Sequence, residues 1–428
     1  MRPPETCSSG PQRPPCPSFC LLRCGSLPGE YAVRSTLPHR RQDAKRPVGS
    51  SPVLALPPVS AILGGDVQPF PAAGLQLIRS RGVISTGAFY FNRTQELTLE
   101  PRREETTTFN PYTALRLVSR TFALSIEKLP TLLRESITLA YLAFRVSDFL
   151  EDNQTMPPER KVELLHLWVD VLDGRVDPEA LTGRLADVDP RDPEALVARH
   201  AGDVLAYIRS LPPELQGYIL REARDSALGM ARWQTRGPLV HDEADLDDYM
   251  FEVAGRVGHM LTHIFAWYYA PLRHLHDQMM PLAREFGLAL QTVNVIRGLR
   301  KDYERGWIFV PRSFCERVGL KPPDLFKPEN FESAMKVVDM LADKAERHLR
   351  KGLDYIKMIP PRFHRIRLAC MWPLFFAVRT LAISRGNRAV LQNEAKMSRD
   401  EVQQIIRETW VMGWSNSWLD SYYERLSS

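Results

Sequence analysis

Tyr141-Leu-Ala-Phe-Arg145-Val-Ser-Asp148-Phe-Leu-Glu151-Asp152 carries the decisive pattern of this 428-residue chain. Successive residues of an α-helix turn by about 100°, so positions three or four apart share a face. Tyr141, Arg145, Asp148 and Asp152 therefore form one stripe about three turns long, with Glu151 on its border. Taken alone, the two aspartates also fit a solvated face with i, i+4 pairing. The surroundings weigh against that: Ile137 to Leu150 is strongly apolar. Charges within such a helix point into a cleft, where they are costly unless paired or bound to metal.

A second stretch repeats the logic far downstream. In Gln291-Thr-Val-Asn294-Val-Ile-Arg297-Gly298-Leu-Arg-Lys-Asp302, the residues Asn294, Gly298 and Asp302 share a stripe flanked by Gln291 and Arg297. Carboxylate and amide oxygens suit a hard cation such as Mg²⁺, and guanidinium groups suit phosphate oxygens. Two such helices facing each other would clamp a diphosphate through bridging metal ions. The chemistry this favours is departure of diphosphate from an allylic carbon.

Outward from these stretches the pattern is helical and stays so. Helices are predicted over Pro111–Lys128, Leu132–Asn153, Pro158–Leu172, Pro193–Ser210, Pro213–Arg236, Leu246–Trp267, Met279–Glu304, Glu332–Met358, Phe363–Ser384 and Arg399–Tyr422. Many open at proline or an N-cap residue. No alternating strand pattern of useful length interrupts them, and no repeat of fixed period is present. The fold class is all-α: a single large helical bundle over 106–428 with a central apolar cavity. Gly255 and Gly258 carry two readings, close helix contact or room for a long apolar ligand.

Residues 1–105 stand apart. Fourteen of the 34 prolines fall in the first 75 positions, among Gly and Ser and without periodicity, a composition that predicts disorder. Those first 75 residues also hold eight Arg/Lys against four Asp/Glu, so the formal net charge of +5 comes mostly from the tail. The near-neutral remainder argues against nucleic acid as a partner. Arg-bearing and poor in acids, the extension also fits organellar targeting. Cys7, Cys16, Cys20 and Cys24 lie within it at spacings that match no compact zinc finger. Cys315 and Cys370 read as reduced core thiols, which makes a cytoplasmic setting the default expectation. No run of 18 apolar residues predicts a membrane span.

Five segments in order carry a resemblance: SRTF (119–122), YLAFRVSDFLED (141–152), ALGM (227–230), YMFEVAGRVG (249–258) and LQTVNVIRGLRKDYERGWIFVP (290–311). Together they resemble the squalene/phytoene synthases, the head-to-head prenyl transferases. The resemblance covers about residues 110 to 400, and Asp148-x-x-Glu151-Asp152 is closest to the squalene type. It implies an isoprenoid synthase fold with Mg²⁺ bound at Asp148, Glu151, Asp152, Asn294 and Asp302. It implies diphosphate contacts from Ser119, Arg120, Arg145, Gln291 and Arg297, and catalytic roles for Tyr141, Arg145 and Tyr249. Gly298 and Lys301 stand where the family has acids.

The activity so implied joins two farnesyl diphosphates, or a related prenyl diphosphate, and reduces the product with NADPH. NADPH use needs no Gly-x-Gly-x-x-Gly in this family. A phytoene or dehydrosqualene synthase would omit the reduction, and a non-catalytic scaffold or assembly relative would keep only the fold. A hydrocarbon product implies peripheral contact with a membrane.

Overall fold

The computed structural model describes residues 109–428, and the proline-rich extension with its four cysteines lies outside the described residues. Seventeen α-helices follow one another, with no strand among the described residues. They are α1 (Pro111–Val118), α2 (Arg120–Ile126), α3 (Thr131–Asp152), α4 (Pro158–Leu172), α5 (Pro178–Arg184), α6 (Pro193–Arg199), α7 (Ala201–Arg209), α8 (Pro213–Arg236) and α9 (Glu243–Met250). After a π-helical turn at Phe251–Gly255 come α10 (Arg256–Tyr268), α11 (Ala270–Arg273), α12 (His276–Glu304), α13 (Arg312–Arg317) and α14 (Phe331–Met358). The chain closes with α15 (His364–Ser384), α16 (Arg399–Met412) and α17 (Asn416–Ser427).

The centre of the bundle is α12, which packs against α10, α14 and α15, while α3 packs against α8, α6 and α7. Every residue from Phe286 to Leu299 is buried, so this central stretch of the helix has no solvent face. In α3 every residue from Ser136 to Asp152 is buried except the partly buried Tyr141. The acidic stripes therefore lie in the interior, where periodicity and apolar flanks placed them. Between α10 and α12 the backbones nearly touch. A Cβ on Gly258 would meet the Ala283 carbonyl oxygen at 2.2 Å, and one on Gly287 would meet that of Ala254 at 2.6 Å. Close helix contact thus explains Gly258, although the same residue also lines the apolar cavity.

Several expected helices are broken, each for a local reason. Ser119 turns extended (φ −152°) and caps α2 with its hydroxyl, which splits the helix expected over Pro111–Lys128. His200 separates α6 from α7, and Gly413 ends α16. α15 is long and apolar enough to cross a membrane by composition, yet 78% of its most apolar window is buried inside the bundle. Cys315 and Cys370 are buried free thiols, and burial pushes both up to about 12.

Candidate active site

The C-terminal end of α3 delivers Asp148, Glu151 and Asp152, all at least 95% buried. Opposite it, α12 delivers Gln291, Asn294, Arg297 and Asp302, also buried. One residue joins the two sets. Arg305 caps α12, where a cation suits the helix dipole. Its Nη2 donates to Asp152 Oδ1 at 2.5 Å, while its Nη1 lies 3.6 Å from Asp302 Oδ1. Gly306 follows with φ +83°, a left-handed conformation suited to glycine, and turns the chain into Trp307–Phe309. The sequence reading did not single out Arg305. Its signal was the Arg-Gly pair ending the second acidic helix.

Burial dominates the electrostatics. It pushes Glu151 up to about 8, with Asp152 and Asp148 adding to the rise. Asp302 is likewise raised by burial to about 8, although Arg305 pulls the other way. Asp152 moves up for the same reason, against the pull of Arg305. Burial lowers Lys161 on α4, which Asp152 and Glu151 partly offset. Lys161 therefore adds a cation beside the acids that no motif pointed to.

Arg145 lies on the same stripe as Asp148, its Nη1 3.4 Å from Asp148 Oδ2. Its Nη2 pairs at 2.6 Å with Glu194, in the first turn of α6 after the Asp192 cap and Pro193. Glu194 was also missed, since it sits in a short helix that carries no motif. Ser119 Oγ accepts from the Phe122 N–H (3.2 Å) and bonds the Tyr141 hydroxyl, so part of its capacity holds the local fold. Arg120 opens α2, and its side chain lies outside the described residues. Gln291 Oε1 accepts from Asn294 Nδ2 at 3.4 Å, which orients the Asn294 amide.

Two cavities lie along this stripe. A polar cleft of about 430 Å³ is lined by Glu151, Asp152, Lys161, Tyr249, Arg305 and Trp307 among others. An apolar chamber of about 110 Å³ is lined by Tyr141, Phe144, Gly258, Phe286, Leu290 and Pro373 among others. Tyr141 and Asp152 lie about 16 Å apart along the helix axis at 1.5 Å per residue. One helix face thus runs from apolar chamber to acidic cleft. Tyr249 is buried at the cleft, stacked on Phe309 with centroids 4.4 Å apart.

The residues present fit hard cations. Glu151 Oε2, Asp152 Oδ2, Asn294 Oδ1 and Asp302 Oδ1 are buried oxygens that receive no hydrogen bond among the described residues. A buried acceptor without a donor is costly, and a bound cation satisfies it. No three His, Cys, Asp or Glu side chains among the described residues close into a ready-made metal cage. Cations held here would complete their shells with substrate oxygens and water, as Mg²⁺ commonly does. Lys301 adds its charge near Asp302, which it pulls down against burial, while its ammonium pairs with Glu394, which also holds Lys396 at 2.7 Å.

With this geometry in view, comparison with known proteins is direct. The squalene/phytoene synthase profile matches residues 115–401, about two thirds of the chain. The chain belongs to the squalene/phytoene synthase family. Bovine (Bos taurus) squalene synthase is 27% identical over 319 residues, spanning 74% of this chain and 72% of that protein. The Schizosaccharomyces pombe squalene synthase is 28% identical over 301 residues, spanning 69% and 63%. A squalene synthase of Botryococcus braunii is 30% identical over 297 residues, spanning 69% and 61%. The match therefore takes in less than two thirds of the yeast and algal proteins. A solved complex of TcSQS with a ligand is 25% identical, superposes with a TM-score of 0.65, and covers 74% of this chain and 90% of that one. The all-α isoprenoid synthase architecture expected from the family motifs is thus the one found.

Proposed function

We propose that this family member is a squalene synthase, joining two farnesyl diphosphates head to head into presqualene diphosphate and reducing that product to squalene with NADPH. The observation that carries the proposal is the convergence of α3 and α12 on one guanidinium, beside buried oxygens without donors. The squalene synthases among its relatives support the choice within the family.

Mg²⁺ held among Asp148, Glu151, Asp152, Asn294 and Asp302 would supply positive charge to a leaving diphosphate. The chain's own cations act beside it. Arg145, Arg305 and Lys161 lie beside the acids and, with Arg297 of α12, stabilise the charge that grows on diphosphate oxygens as the allylic C–O bond breaks. Burial raises the Tyr141 phenol to about 12, so it stays protonated and serves as a hydrogen-bond donor, not an anionic base. The chamber beyond Tyr141 is walled by apolar side chains and excludes water that would capture an allylic cation. There the alkene of the second chain forms the new carbon–carbon bond, and loss of a proton closes the cyclopropane. Tyr249, next to Arg305, is placed to orient the leaving group. No dinucleotide cradle stands out among the described residues, and NADPH enters the proposal through the squalene synthase relatives.

One observation favours a second reading. Arg305 already fills the space between Asp152 and Asp302, and Lys301 is bound to Glu394. A non-catalytic relative would keep these pairs permanently. Incubation of the purified chain with farnesyl or geranylgeranyl diphosphate and Mg²⁺, with and without NADPH, separates the readings by product mass. Squalene formed only with NADPH supports the proposal. Dehydrosqualene or phytoene regardless of NADPH assigns the non-reductive branch, and no product at all supports the scaffold.

A further inference from the structure

Nine large apolar side chains are exposed among the described residues, and four of them fall within five positions. Trp410, Val411, Met412 and Trp414 are 50%, 64%, 37% and 55% exposed. They form the corner where α16 ends and α17 begins. This corner is not a frayed end. Trp414 Nε1 donates to the Val411 carbonyl (3.0 Å), and the buried Arg367 donates to the Gly413 carbonyl (3.1 Å) and to Asn416 Oδ1 (2.7 Å). Trp372, buried in α15, donates to Thr409 Oγ1 at 2.9 Å. The chain that carries the exposed tryptophans is thus anchored by hydrogen bonds from the core.

The rim of this knob is basic. Lys128 Nζ lies 5.7 Å from the Trp410 ring centroid. Arg365 is exposed and donates to the carbonyls of Lys128 (2.5 Å) and Leu129 (3.1 Å), and the exposed Arg362 precedes it by three residues. None of these three forms an ion pair with a carboxylate among the described residues. Leu129, whose carbonyl Arg365 holds, also lines the apolar chamber, as do Ala369 and Pro373 of α15. The basic rim and the chamber wall share one turn of chain.

We propose that the α16–α17 corner is a docking surface for an anionic lipid bilayer, seating Trp410, Val411, Met412 and Trp414 at the level of the headgroups. Indole rings favour that level because a large apolar body carries one polar N–H, which in Trp414 the Val411 carbonyl satisfies. Lys128, Arg362 and Arg365 supply the attraction to lipid phosphates. Charge argues against two other occupants. A symmetric pair of chains would set these cations against their own copies, and the first 75 residues carry twice as many basic as acidic side chains. Transfer of prenyl chains between bilayer and chamber follows from this docking and rests on the proposed function; the docking itself does not.

The test is co-sedimentation of the full-length protein with vesicles of phosphatidylcholine alone and of phosphatidylcholine mixed with phosphatidylglycerol. Wild type is expected to partition onto the anionic vesicles. Trp410→Ser/Val411→Ser/Trp414→Ser should lower that partitioning roughly 10-fold or more, with unchanged helical circular dichroism. Lys128→Gln/Arg362→Gln should weaken binding to the anionic vesicles selectively. Quenching of wild-type tryptophan fluorescence by brominated lipids reads the same contact without any substitution. Equal partitioning of wild type and triple variant, or no partitioning of wild type, overturns the proposal. So does a dimer in sedimentation velocity that the triple variant loses while vesicles stay unbound. Vesicle binding through this corner by a chain that makes no product would uphold the surface and reject the squalene synthase reading.

Discussion

Asp152 on α3 and Asp302 on α12 are gripped by the same guanidinium, that of Arg305. Two buried carboxyl groups on facing helices can ionise together only at a high cost unless a cation stands between them, and here the protein supplies one. Replacing Arg305 by Ala removes that charge and leaves both acids in a low-dielectric interior. The expected cost is about 3 kcal/mol of metal-free stability. Urea denaturation with and without Mg²⁺ checks it. Saturating Mg²⁺ should restore more stability to the variant than to wild type, because the cation then does what the guanidinium did.

Asp148 and Asp152 separate an enzyme from a scaffold. Asp148→Asn and Asp152→Asn keep the shape of the side chains and remove one negative charge each. In an enzyme each should lower kcat roughly 100-fold or more, with helicity unchanged. Single-turnover product analysis reads the effect. Wild-type rates in both variants would reject the metal-clamp assignment.

The raised carboxyls give stability and metal binding opposite pH dependences. In the folded metal-free protein Glu151 and Asp302 hold their protons up to about pH 8, whereas unfolded carboxyls release them near pH 4. Between those values the folded state binds more protons than the unfolded one. Stability of the metal-free protein should therefore fall as pH rises from about 4 to about 8. Cation binding must expel those protons, so Mg²⁺ affinity should rise over the same window. Titration calorimetry in two buffers of different ionisation enthalpy should detect proton release at pH 7.

The acidic stripes were legible in the sequence because a helix turns periodicity into a face. Tyr141, Arg145, Asp148 and Asp152 needed only spacing, and the apolar flanks gave their direction. Glu194, Lys161, Arg305 and Glu394 were not legible, because each acts across a contact between elements distant in sequence. Helix breaks were lost for a related reason. Ser119 fits a helix by composition until its hydroxyl is seen capping α2, and the π turn after Met250 has no separate signature. Gly258 announced itself as small, but only the Ala283 carbonyl says why.

Lys301 and Glu394 offer a charge-exchange test. Glu394 is 7% exposed at its side chain and bound by Lys301 and Lys396, while Lys301 is about half exposed. Lys301→Glu should set two carboxylates together and lower stability by about 1 kcal/mol, the modest figure reflecting solvent around the lysine. Adding Glu394→Lys should recover part of that loss in a double-mutant cycle, since it restores opposite signs. Unchanged stability in the single variant would mean that the pair does not order the segment around Glu394.

The closest test of the packing concerns Gly258. An added methyl there would sit 2.2 Å from the Ala283 carbonyl oxygen, a backbone atom that cannot rotate aside. Gly258→Ala must therefore push α10 away from α12. Overpacking of this kind costs about 1–3 kcal/mol, more than the helix propensity of alanine returns. The displacement also reaches the site, because α12 carries Asn294 and Asp302 and Gly258 lines the apolar chamber. Turnover of a prenyl diphosphate should fall together with thermal stability. Gly217 is the control: it is exposed on α8, and a Cβ added there would have nothing within 4 Å. Gly217→Ala should raise stability by about 0.5–1 kcal/mol through helix propensity alone and leave turnover unchanged.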